Sequence, residues 1–359
     1  MKKFRTNKTN KILALLLTAV LALSTLAGCG GSDTSTTDTA AEAPAADTTE
    51  APAAEAEEPA EAEAEEEPAA GDEEVAEAEI EEIVPVAIDK GAFDALIASG
   101  AVADDADIAA SSWATAVKEA GILRVGGTRT SFLFSQLDET DDSLRGFDAG
   151  LYQLLARYIL GDETQYDLTQ VDSSTRESVL QSDQVDVVFA TYSITPARQE
   201  VISFAGPYYT SQQAVLVKAG NADVTGVDSL ADKIVATQAG STGPEILAEF
   251  APDAVVQEFE TDIEARTALE QGRVDAYVTD YTLLLNALVQ NPGVYEIAGN
   301  VFGPEDNYGV GLPLDSDGVA FVNDFLQKLV DDGTWAQLWQ ITLGDRTGIS
   351  TPPAAPTIG

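Results

Sequence analysis

The stretch from Phe189 to Tyr209, FATYSITPARQEVISFAGPYY, collects groups that can hold a small anion. Thr195 can cap a helix, and Pro196 suits the first helical position. The free N–H groups of a first turn attract negative charge. Arg198 adds a planar fork of donors that matches a carboxylate. Thr191 and Ser193 add hydroxyl donors. The chemistry these residues offer is reversible capture of a small carboxylate. The plainer reading of Arg198 is a surface helix arginine in a salt bridge.

Composition narrows the classes of function. The chain has 359 residues, enough for two domains, with 61 Asp+Glu against 19 Lys+Arg. Such a surface repels nucleic acid, so no nucleic-acid partner is expected. There is no His, which excludes histidine acid/base chemistry and His metal sites. The single Cys excludes an intrachain disulfide. No cofactor or metal is expected. LDETDDSLRG is acidic but lacks the spaced ligands of a calcium loop, and reads as a solvated loop. VGGTRTS lacks the glycine spacing and lysine of a phosphate loop.

The N-terminus accounts for the Cys. A basic segment (Lys2, Lys3, Arg5, Lys8, Lys11) precedes an apolar run from Ile12 to Leu23, then Leu26-Ala27-Gly28-Cys29. This resembles a lipoprotein signal over residues 1–28, cleaved before Cys29, which would carry lipid and hold the chain at the extracytoplasmic face of a membrane. The apolar run is short for a membrane span, and no later segment is apolar enough to form one. Residues 29–88 are rich in Ala, Glu, Pro, Thr and Ser and read as an extended acidic tether.

The elements that position Arg198 follow. Residues 89–121 look helical and read as an arm on the first lobe. Strands are expected at 122–125, 166–171, 185–190 and 214–218, with helices at 148–159 and 176–181 between the earlier ones. A second alternating unit has strands at 233–237, 255–259 and 274–278 and helices at 244–250, 262–271 and 281–289. NYGVGLPL reads as a strand, and helices at 319–330 and 335–341 return to the first unit. Strands alternating with helices indicate an α/β fold with mostly parallel sheets. Two such units joined by extended segments suggest two lobes with a cleft between them.

Five segments in order, LRGFDAGLYQLLARYI, SVLQSDQVDVVFATYSITPARQEVISFAGPYY, ATQAGSTGPEIL, ALEQGRVDAYVTD and LVDDGTWAQLWQ, resemble the polar-amino-acid solute-binding proteins of ATP-binding-cassette importers, the extracellular solute-binding family 3. The glutamate/aspartate branch is the most similar. The resemblance covers Ile122 to Leu343. It implies a two-lobe periplasmic-binding-protein fold of type II, with two hinge crossings and a ligand cleft. Lobe 1 would be 122–212 plus 304–345, lobe 2 would be 213–303, and 346–359 would be a tail. The implied partners are a free amino acid and the permease subunits of an importer.

The resemblance also implies roles. Arg198 would grip the ligand α-carboxylate, with Thr191 and Ser193 as hydroxyl contacts. Ser241 and Thr242, before the helix start Gly243-Pro244, would meet the same carboxylate from the second lobe; their plain reading is a helix cap. Asp280 would receive the α-ammonium, although it could instead cap the helix from Tyr281. Arg176 lies 22 residues before Arg198, as in the acidic-amino-acid branch, where it would meet a side-chain carboxylate; Ser173 matches a hydroxyl contact there. Arg129 falls in the loop after the first strand, where that branch also has an arginine. The chain departs from many members in having Thr128 and Ser131 where an Asp and an aromatic are common. Glutamate or aspartate is therefore the expected ligand, glutamine the alternative. An enzyme resembling cyclohexadienyl dehydratases would use the same fold, but needs a positioned acid or base. No enzyme activity is expected.

Overall fold

The computed structural model describes residues 86–359; the leader, Cys29 and the tether up to residue 85 lie outside the described residues. The first unit opens with β1 (Leu123–Gly127). A small antiparallel sheet follows, made of β2 (Thr130–Ser131), β3 (Ser135–Asp138) and β4 (Ser143–Arg145). The acidic stretch expected as a solvated loop therefore forms the β3–β4 hairpin. β5 (Tyr166–Gln170) and β6 (Val187–Phe189) then pair parallel to β1 on either side of it.

β7 (Ser203–Lys218) is a single strand of 16 residues, where the sequence pattern indicates only 214–218. It leads into the second unit. There β8 (Ile234–Gln238) lies parallel to both β9 (Val255–Phe259) and β10 (Ala276–Asp280). β11 (Tyr295–Ile297) pairs with the far end of β7, and β12 (Phe302–Leu312) returns antiparallel along β7. The sheet order β5-β1-β6-β12-β7-β10-β8-β9 makes the architecture plain. Two parallel α/β sheets are joined only through β7 and β12, the two hinge crossings of a two-lobe fold.

Each lobe has its own core. Leu123, Val125, Phe147, Leu151, Val187, Phe189 and Phe325 are buried in the first. In the second, Ala236, Leu269 and Tyr277 fill one face of the sheet and Val215, Val235 and Leu247 the other. A parallel sheet covered on both faces needs such continuous apolar strands. The helices Gly318–Asp331 and Thr334–Trp339 return to the first lobe, where Trp335 Nε1 donates to Tyr208 O at 2.9 Å.

Three short helices, Lys90–Ala98, Asp105–Ala110 and Ser112–Ala120, precede β1. Asp89 caps the first and Ser111 the third. Phe93, Ile97, Ile108 and Val117 are buried in the first lobe's core. A fully buried side chain of this size contributes about 1.5–3 kcal/mol. Asp317 fixes the third helix by accepting from Ser112 N at 2.6 Å and Trp113 N at 3.0 Å.

Candidate functional site

The first wall of the cleft follows β6. Thr191 has φ of +43°, left-handed backbone that a β-branched residue holds only when its surroundings enforce it. Asp148, at the start of the helix Phe147–Leu160, does so. Thr191 N donates to Asp148 Oδ2 at 3.0 Å, and Tyr208 OH donates to Oδ1 at 2.9 Å. Asp148 has no exposed surface. Burial pushes its pKa up to about 7, against the pull of these two donors.

Thr195 accepts from Arg198 N at 3.3 Å and caps the single turn Pro196–Gln199. This brings the Arg198 guanidinium into the cleft. Its Nη1 donates to Ser193 O at 2.9 Å, and its Nη2 reaches Gly240 O of the second lobe, also at 2.9 Å. Gly240 has φ of +69°, and a Cβ there would sit 2.8 Å from Ser174 Cα. Any side chain at 240 would hold the lobes apart.

Arg176 heads the helix Arg176–Gln181 and is 3% exposed. Its guanidinium carbon lies 4.0 Å from the centre of the Tyr192 ring, and that of Arg198 lies 5.2 Å from the same ring. Arg176 Nη1 donates to Ala190 O at 2.9 Å, while the buried Nε has no partner among the described residues. Burial first, then the charge of Arg198, pulls its pKa down to about 10, so it remains charged at neutral pH.

Opposite the arginines lies a carboxylate pair. Asp280 is the last residue of β10, not the residue after a strand, and its side chain makes no cap contact with the helix Tyr281–Gln290. It accepts from Tyr308 OH at 2.6 Å and from Gln213 Nε2. Asp306, on β12, accepts from Ser193 Oγ at 3.0 Å and Thr242 Oγ1 at 3.3 Å. Gln213 Nε2 also lies 3.4 Å from Thr242 Oγ1, which joins the two halves of the network. Burial, and then the charge of Asp306, pushes the pKa of Asp280 well above the usual carboxylate range.

Of the residues singled out from sequence, Arg198, Ser193, Thr242, Asp280, Arg176 and Thr191 gather on this cleft. Ser241 is turned to its own loop, where its Oγ donates to Gln238 O at 2.7 Å and accepts from Gly243 N. Ser173 lines an adjoining cavity of about 330 Å³ with Thr191, Asp172, Arg266 and Asn286. Arg129 does not join the cluster. Its Nη2 donates to Leu168 O at 2.9 Å, and the side chain lines a separate cavity with Glu163 and Asp167. Asp306, Gln213, Tyr308 and Asp148 were not singled out from sequence. Asp306 precedes the stretch expected as a strand, NYGVGLPL, and only the pairing of the longer β12 with β7 places it beside Asp280.

The arrangement is a closed two-lobe clamp with two guanidinium groups on one side and two carboxylates on the other. The chain belongs to the bacterial extracellular solute-binding proteins, family 3, whose model matches residues 123–343. It is 32% identical over 228 residues to the ABC transporter glutamine-binding protein GlnH of Bacillus subtilis (strain 168), covering 63% of this chain and 82% of that protein. It is 30% identical over 221 residues to the glutamate-binding protein GluB of Corynebacterium glutamicum, covering 58% of this chain and 74% of that one. The solved solute receptor for L-cysteine of Neisseria gonorrhoeae superposes with a TM-score of 0.63 at 25% identity, covering 67% of this chain and 97% of the receptor.

Proposed function

We propose that this protein captures an acidic amino acid, glutamate ahead of aspartate, and delivers it to an ABC importer. The first lobe would comprise 122–212 with 304–345 and the second 213–303. Arg198 takes the α-carboxylate, aided by Thr191, Ser193 and the 241–242 turn. Asp280, with Asp306 beside it, takes the α-ammonium. Arg176 takes the side-chain carboxylate. The lipidated Cys29 and the acidic tether would hold the receptor near the permease subunits.

The observation that carries the ligand assignment is the pair of buried guanidinium groups on one face of the cleft, Arg176 and Arg198, both against Tyr192. A zwitterion needs only one of them. A second buried cation whose Nε has no partner among the described residues fits a second ligand carboxylate. Glutamine is the second reading, supported by the similarity to glutamine-binding relatives. A catalytic reading would use Asp280 as a proton donor. The hydrogen bonds it accepts from Gln213 and Tyr308 instead favour its ionised form, which suits an ammonium group.

The test is to purify the protein without denaturation, release what it carries and identify the amino acid by mass spectrometry, with re-loading from an equimolar mixture. Glutamate or aspartate is the expected cargo. Glutamine recovered in preference to both would overturn the assignment to an acidic side chain. Separately, Cys29→Ser should move the protein from the membrane fraction to the medium or periplasm.

A further inference from the structure

Apart from the hydrogen bonds made by the hinge strands β7 and β12, the two lobes meet through polar contacts in three places among the described residues. At the ligand cluster, Arg198 reaches Gly240 O. At one rim, Ser174 Oγ donates to Glu260 Oε2 at 3.1 Å in an exposed position. At the adjoining cavity that Ser173 and Thr191 also line, Asn286 of the helix Tyr281–Gln290 reaches the loop between β2 and β3. Its Oδ1 accepts from Leu133 N at 2.9 Å, and its Nδ2 lies 3.3 Å from Ser131 Oγ.

These contacts differ in what they can do. The Arg198 bond uses a donor that the proposed ligand carboxylate would claim. The Ser174 bond is solvent-exposed and worth little. The Asn286 contact uses no group assigned to the ligand. Its side chain is 6% exposed, and the Leu133 N–H it satisfies is buried. The bond forms as the lobes meet and replaces water around Leu133 N–H with a protein acceptor, a modest net gain that favours closure. The first-lobe side of it is also held firmly. Phe132, between Ser131 and Leu133, is stacked under Arg346, whose guanidinium carbon lies 3.7 Å from the ring centre and whose Nη1 donates to Phe132 O. The loop is thus anchored to the first lobe, while Asn286 is anchored in a helix of the second.

We propose that Asn286 is a closure latch, a positioning residue that holds the lobes together independently of the ligand-gripping side chains and so sets how long the cargo is retained. The proposal rests on the reading that the protein closes on an amino acid. It places the effect on release more than on capture, because the contact forms only once the lobes have met.

The experiment compares wild type with Asn286→Ala and the near-isosteric Asn286→Leu. Spin labels on exposed Lys328 of the first lobe and Glu249 of the second report the inter-lobe distance without ligand and with glutamate. Stopped-flow measures glutamate association and release. Both variants should shift the ligand-free distance distribution towards open forms. Both should also speed glutamate release about tenfold, with association changed less than twofold and the thermal midpoint nearly unchanged. Distances and release rates equal to wild type in both variants would overturn the latch. If wild type ignores glutamate, the ligand assignment fails, while the ligand-free distances still decide whether Asn286 holds the lobes together.

Discussion

The Arg176 guanidinium lies 4.0 Å over the Tyr192 ring with its Nε buried and without a partner among the described residues, and Arg198 approaches the same ring at 5.2 Å. The aromatic face offsets part of the cost of burying two like charges together. The remaining cost is an incentive to bind anions. An anion that reaches both guanidinium groups relieves their desolvation and their mutual repulsion.

Arg198 should matter for every α-amino acid that binds. Arg198→Ala is expected to weaken all of them on the order of 100-fold or more, since it leaves a buried carboxylate unpaired. Arg198→Lys should recover little, because a point charge cannot reproduce the fork. Titration calorimetry with several amino acids checks this; a loss confined to one ligand would argue against an α-carboxylate grip.

Asp280 should make binding pH-dependent. In the ligand-free protein its raised pKa means that it keeps a proton above the usual carboxylate range. An ammonium group beside it favours the ionised form, so binding expels a proton. Affinity should rise with pH until the raised pKa is passed, then level off. Calorimetry in buffers of different ionisation enthalpy reads the proton count directly. Asp280→Asn should bind weakly and release no proton through this site.

Asp148 should tie stability to pH. Its folded pKa of about 7 lies above the ordinary value of 3.8 that an unfolded chain would show. The folded state therefore holds the proton more tightly. This group's stabilising contribution is fully present below about pH 4 and is lost as pH rises towards about 7, on the order of 4 kcal/mol across the window. Asp148→Asn should flatten that part of the profile relative to wild type, as read from urea midpoints between pH 4 and 8. An unchanged slope would show that Asp148 is not the titrating group.

Much of the fold was legible in the sequence, because buried parallel strands and amphipathic helices alternate in clear patterns. The helix at Arg176–Gln181 and the strand Val255–Phe259 fall where those patterns place them. β7 was read short because Gly206-Pro207 and the polar run Thr210–Gln213 break the apolar pattern, although the backbone stays extended through them. The anion side of the cleft was visible because Thr195, Pro196 and Arg198 are close in sequence. The cation side was half hidden. Asp306 meets Asp280 only through the antiparallel return of β12, with Asp306 opposite Ser211. Arg129 shows the converse limit: its position after β1 was clear, but the direction of its side chain was not.

The most direct measurement is calorimetric titration of the protein with glutamate, aspartate and glutamine, alongside Arg176→Ala. Glutamate or aspartate should bind at least tenfold more tightly than glutamine, and Arg176→Ala should erase that preference while leaving glutamine affinity within a few-fold. Glutamine binding as tightly as glutamate, with Arg176→Ala without effect on either, would contradict the assignment of Arg176 to a second ligand carboxylate.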